Sequence, residues 1–185
     1  LDRVAGLEKK DTESGPKFFM RGSLINNYLV DGILQVRPEI TRGDLMDIAS
    51  AQVFRVSPLR FQGYGSESGT VIFKTNNPTF KYEALGNLEM GSFHKQALDG
   101  VINFPISDNK AIRLAYLSEK RDGYYSNGSG DVTNKNMRMK YRWSQGDDID
   151  LVVGVSHQSI LGNGISQGTL LSRGRYVPFV SGQYS

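Results

Sequence analysis

The chain has 185 residues, 38% of them hydrophobic and 22% charged, a balance that excludes a disordered composition and predicts one domain or slightly more. With a net charge of +3, no cysteine and two histidines, it has no disulfide, thiolate metal site or cysteine nucleophile, and it gives no support to a multi-histidine metal centre or a nucleic-acid partner. No run of 18 apolar residues exists, which excludes a transmembrane helix but not a membrane β-barrel, whose strands alternate.

The chain starts at Leu1, and residues 1–16 are polar and charged, without the basic and apolar regions of a signal peptide. Residues 177–185 read as an unfinished strand or loop, so the expectation is a piece of something longer. Lys17–Met20 reads as a short strand ended by Arg21-Gly22. Residues 27–34 contain two apolar runs around Asp31-Gly32, the signal of a tight hairpin or a bent strand. Residues 44–48 predict one or two helical turns, with Asp44 as N-cap. Residues 51–56 alternate and predict a strand, residues 63–69 a glycine-rich loop, and Thr70–Thr75 another strand.

The texture changes at Asn76-Asn77-Pro78, and a boundary is placed at about residue 79. Beyond it, segments around 82–90, 98–104, 112–117, 136–143 and 149–156 alternate apolar and polar residues. Period two puts each set on one face of a sheet. Met137, Met139, Tyr141 and Trp143 share one face, and Arg138, Lys140 and Arg142 the other. Arg142 or Lys140 is expected to pair with Asp148 or Asp150 across the next turn. The connections at 107–109 and 145–147 are short and that at 121–134 is long, the pattern of an outer-membrane barrel with short periplasmic turns and longer external loops. Alternating strands also build soluble sandwiches, so a soluble β-rich carbohydrate- or ligand-binding module is the alternative.

A family resemblance rests on a series of segments: Phe19-Met20-Arg21-Gly22, residues 26–35, Asp47-Ile48, residues 53–56, Tyr64-Gly65-Ser66, residues 69–72 and residues 74–79. In order and approximate spacing these resemble the TonB-dependent outer-membrane receptors, in which an N-terminal plug sits inside a large barrel. Arg121-Asp122-Gly123-Tyr124-Tyr125 resembles an early external loop of the same receptors. The chain departs from the pattern in three places. Arg55-Val56-Ser57-Pro58 replaces an Arg-Gly-Pro, Gly69-Thr70 replaces paired glycines, and Asn77 stands where a basic residue often precedes the closing proline.

The resemblance implies an α+β plug domain over 1–79 followed by antiparallel transmembrane strands over 80–185, the first five or six of a barrel of about 22 strands. It implies a transport receptor for a scarce ligand, a ferric siderophore or other metal chelate. The implied partners are TonB with its inner-membrane energising complex and outer-membrane lipid, and the implied location is the bacterial outer membrane. No TonB box is evident in residues 1–16. Gln35, Arg37 and Tyr64 are the candidate ligand contacts, with Arg21, Tyr124 and Tyr125 as further candidates. Arg37 suits carboxylate or hydroxamate oxygens, and Tyr64 can stack and donate a hydrogen bond. Arg21 can instead pair with an acidic barrel residue, and Tyr124 and Tyr125 can anchor the loop at the membrane interface. His157 is expected near the external rim without a metal role. No Gly-x-Ser-x-Gly, His-Glu-x-x-His or phosphate loop is present, so no enzyme, catalytic residue or cofactor is expected.

Overall fold

The structure, a computed structural model, describes residues 7–12, 15–25, 28–35, 43–54, 69–124, 128–146, 148–162, 168–170 and 176–178. The chain first builds two small sheets. Strands β1 (Leu7–Thr12), β2 (Gly15–Met20) and β3 (Ser23–Leu24) form one antiparallel sheet. Strands β4 (Tyr28–Val30), β5 (Ile33–Gln35), β6 (Ile48–Phe54) and β7 (Thr70–Thr75) form the second, in the order β5-β4-β7-β6, with β4 and β7 parallel. Phe18, Met20, Ile25, Tyr28, Val30, Val71 and Phe73 are buried together and join the two sheets through one core. The rings of Tyr28 and Phe73 meet edge to face there, 6.2 Å apart.

Both tight turns in this region follow from their sequences. Arg21-Gly22 and Asp31-Gly32 each have positive φ at both residues. That backbone matches the twist of a two-residue hairpin, and Asp-Gly tolerates it. The helical turns expected over 44–48 are not formed. Residues 43–47 make a turn closed by the Met46 amide on the Gly43 carbonyl, 3.3 Å, and Ile48 already belongs to β6. Two local facts explain the difference. Asp47 has a φ of 55°, outside any helix, and the Asp44 carboxylate accepts a hydrogen bond from the Tyr28 hydroxyl, 3.0 Å away. Among the described residues every regular element is a strand, so the helical part of the α+β expectation is corrected there to strands and turns. The loop expected over 63–69 lies outside the described residues, except Gly69.

The remainder is one large antiparallel sheet. Its strands are β8 (Glu83–Gly91), β9 (Lys95–Ser107), β10 (Lys110–Arg121), β11 (Val132–Gln145) and β12 (Ile149–Leu161), each paired with the next. They run from 9 to 14 residues, long enough for tilted strands to cross a bilayer. Two short strands, β13 (Gly168–Leu170) and β14 (Tyr176–Pro178), pair with each other. Among the described residues the large sheet does not close, and β8 and β12 are its edges.

The two faces of the large sheet differ as the alternation predicts. Lys140 is 8% exposed and Arg138 9%, whereas Met137 is 47% exposed and Met139 44%. The buried face lies against the small sheets. The other face is uncovered and carries Ile102, Phe104, Tyr116, Met137, Met139, Val153 and Val155.

Candidate functional site

Where the small sheets meet the large one, the contact is charged. In the register of the large sheet, Glu83, Asn103, Arg113, Lys140 and Gly154 form one continuous row across β8–β12. Arg113 is flanked along its strand by the buried Ala111 and Ala115, whose small side chains leave room for the guanidinium. Its Nε and Nη2 donate to the two oxygens of Asp47, each at 2.7 Å, and its Nη1 donates to Glu83, also at 2.7 Å. The Arg113 and Asp47 side chains are both 6% exposed, so their pair is shielded from water.

Lys140, next in the row, lies 3.0 Å from Asp31 and donates to Asn77 at 3.2 Å. Asp31 sits in the β4–β5 turn, and its carboxylate also accepts the Thr75 amide and hydroxyl at 2.8 and 2.6 Å. Partial burial raises the Asp31 pKa, but the Thr75 hydrogen bonds and the Lys140 ammonium outweigh this and hold it below the usual carboxylate range. Arg138, in a neighbouring row, donates to the Met46 carbonyl of the 43–47 turn at 2.7 Å. Met46 itself packs on Ala115 and Leu117. Gly43 sits so close to the buried Asn136 that a Cβ there would overlap the Asn136 amide.

The segment between β7 and β8 is fixed to the large sheet. Asn103, fully buried, accepts the Thr79 amide at 2.9 Å and donates to the Thr79 and Lys81 carbonyls. Arg142 donates to the Pro78 carbonyl, lies over the Phe80 ring and makes a two-pronged bond to Asp150. The expected pairing of Arg142 or Lys140 with Asp148 or Asp150 is therefore realised as Arg142–Asp150, and Lys140 is committed to Asp31 instead.

A cleft of about 770 Å³ opens beside this junction, between β4–β5 and β11–β12. Gln35 lines it, together with Asp31, Asn136, Arg138, Ser156 and Gln158. The buried Oδ1 of Asn136 has no hydrogen-bond partner among the described residues. A second cluster sits where the β8–β9 turn meets the long connection after β10, at the opposite end of the sheet from the β9–β10 and β11–β12 turns. There the exposed Phe93 and Tyr124 rings meet edge to face at 4.8 Å, and Arg121 covers the Tyr124 ring and donates to its hydroxyl. His94 and Asp122 pair at 2.7 Å beside them.

The sequence candidates do not converge on one site. Gln35 lies in the cleft, its amide donating to the Ile33 carbonyl at 3.3 Å. Tyr124 belongs to the loop-end cluster, and Arg21 is exposed in the β2–β3 turn. Arg37, Tyr64 and Tyr125 lie outside the described residues. His157 is exposed on β12 opposite Met137, and among the described residues no group of acidic or histidine side chains could hold a metal. The sequence reading missed Arg113, Glu83 and Asn103. The available signal was local: Asn103 and Arg113 are each flanked two residues away on the same face by small or apolar side chains, Val101 and Pro105 on β9 and Ala111 and Ala115 on β10.

No protein-family model matches the sequence. Among solved structures, the chain is similar to the pyoverdine outer membrane receptor FpvA from Pseudomonas aeruginosa PAO1, with 17% identity and a TM-score of 0.70 over 84% of this chain and 24% of that one. It is similar to the ferric-catecholate import receptor Fiu from E. coli K12, with 18% identity and a TM-score of 0.71 over 88% and 24%. A third match is the alcaligin outer membrane receptor FauA from Bordetella pertussis, with 20% identity and a TM-score of 0.66 over 87% and 28%. The chain thus spans about a quarter of the length of the receptors it matches. Its fold is that of the TonB-dependent siderophore receptors of the outer membrane.

Proposed function

We propose that the chain is part of a TonB-dependent receptor of the bacterial outer membrane that binds and imports a scarce ligand, a ferric siderophore or similar metal chelate. In this reading residues 1–79 belong to the plug and residues 80–185 are the first strands of the barrel. One observation carries it. A five-stranded sheet leaves an apolar face uncovered and turns a charged face onto a separate small-sheet unit. Lipid is the solvent that accepts the first face, and a plug is the body that needs the second. The soluble-module alternative would need a second sheet over the outward face. It would also need an aromatic row there, whereas Phe104, Tyr141 and Trp143 gather toward the short-turn end, as in a membrane girdle.

The protein's work in such a receptor is binding and controlled release, not bond chemistry. Ligand bound on the external side must be admitted when TonB, driven by its energising complex, rearranges the plug. The junction fits that requirement, being held by a few ion pairs rather than by a continuous apolar seam. Gln35, Arg37 and Tyr64 are the proposed ligand contacts, with Arg21, Tyr124 and Tyr125 at the periphery. Uptake of radio-iron loaded on a panel of siderophores, in cells lacking this receptor and in complemented cells, tests the function. Loss of one siderophore only in the deletion strain is expected, and unchanged uptake of all of them would count against import of such chelates. In complemented cells, Gln35→Ala, Arg37→Ala and Tyr64→Ala are expected to weaken uptake about tenfold each, as loss of one ligand hydrogen bond to a charged group does, with surface expression intact. Normal uptake in all three would remove them from the site.

A further inference from the structure

Charge is divided unequally between the faces of β8–β12. These strands contain Glu83, Glu89, Asp99, Glu119 and Asp150 as carboxylates, and alternation with the register puts all of them on the face toward the small sheets. The outward face of these strands has no carboxylate. Toward the long-loop end it carries Lys120 and Lys135, both exposed. Lys120 stands opposite Thr133, and Lys135 stands between Ser118 and Ser159. The two lysines are therefore diagonal neighbours on adjacent strands, roughly 7–8 Å apart at Cα, with three hydroxyls around them. No ion pair between described residues engages either one.

On β10 and β11 the pair sits at the end of the apolar outward run, and the same rows carry the exposed Leu88, Leu98, Met90 and Leu161 on the flanking strands. On β11 the next outward residues are Met137, Met139, Tyr141 and Trp143, a stretch of roughly 20 Å from Met137 at 3.3 Å per residue. Two like charges side by side repel, and nothing on this face offsets them. A long lysine stem can lie along apolar surface while its ammonium reaches headgroup depth.

We infer that Lys120 and Lys135, with Ser118, Thr133 and Ser159, form a binding site for the phosphate of an anionic lipid headgroup in the leaflet at the long-loop end. This site rests on the membrane reading of the outward face given above. Both ammonium groups can converge on one phosphate, the hydroxyls supply further donors, and the absence of carboxylates leaves no competitor on these strands.

The test uses the intact receptor chain, reconstituted into phosphatidylcholine vesicles with and without phosphatidic acid, followed by flotation and native mass spectrometry. Wild-type protein is expected to retain phosphatidic acid in preference to phosphatidylcholine. Each basic residue near a membrane surface contributes about fivefold, so the Lys120→Gln, Lys135→Gln double variant is expected to lose roughly 30-fold in that preference. Lys110→Gln, beside a short turn, should leave it unchanged. Equal retention by the double variant overturns the site. Displacement of the lipid by millimolar inorganic phosphate overturns the lipid assignment in favour of a free anion. Wild-type protein that floats with the vesicles but shows no preference overturns the lipid site and leaves the membrane reading standing. Wild-type protein that does not float overturns the membrane reading and this site with it.

Discussion

Arg113 is shared between two carboxylates that belong to different bodies: Asp47 in the small-sheet unit and Glu83 in the large sheet. Breaking a buried pair from one side leaves the other charge uncompensated, which costs about 3–5 kcal/mol. Arg113→Ala is therefore expected to loosen the junction more than Glu83→Gln, because Asp47 is buried and Glu83 is 40% exposed. Limited proteolysis of the intact receptor between residues 43 and 76 measures this, and equal protection in both variants would refute the ranking. Asp31 gives a pH signature. Its pKa is lowered in the folded state, so its contribution is complete above the ordinary value of 3.8 and is lost as pH falls through the lowered value. Acid-induced opening followed by the same protection is expected to be blunted in Asp31→Asn, and an unchanged acid profile would count against that role. Gly43→Ala should destabilise the junction by about 1–3 kcal/mol through overlap with Asn136, and Asn136→Ala should restore most of it. Thermal unfolding of the single and double variants provides the measure. Little of this was legible in the sequence. Alternation assigns Arg113 and Lys140 to a face, but only the fold brings Asp47, 66 positions away, onto Arg113.

At the scale of the element, local chemistry settles most of the outcome. Asp31-Gly32 predicts a hairpin and makes one, because both residues accept positive φ. The five long strands follow from period two alone, and short turns set the register of β8–β9, β9–β10 and β11–β12, while β10 and β11 pair across a long loop. The failure at 44–48 has the opposite cause. A capping aspartate and an apolar pair are helix signals, but the carboxylate is taken by Tyr28, and Met46 and Asp47 are recruited by the large sheet. Tertiary contacts outweigh a propensity of a few tenths of a kcal/mol per residue. The strand assignment yields its own test in β11. Nitroxides at 139 and 140 of the full-length receptor should differ, with the first accessible to oxygen in lipid and the second shielded. Equal accessibility at both would refute the proposed lipid-facing alternation.

At the scale of the whole molecule, β8 and β12 are sheet edges among the described residues. Unpaired backbone groups are costly in a bilayer, so the proposed barrel requires further strands. An antibody to residues 121–134 should detect, in the outer-membrane fraction, a band several-fold larger than 20.5 kDa. A soluble band at that mass would return the argument to the binding module. The segment from Pro78 to Lys81 carries a different consequence. Asn103 and Arg142 hold it by its backbone at Pro78, Thr79 and Lys81. In mechanical terms this is a strain relief, like the clamp where a cable enters its housing. Tension drawn along the chain from the N-terminal side runs through β7 and ends at that clamp, before it can peel β8 from β9. The small sheets can then be displaced while the wall keeps its first seam closed.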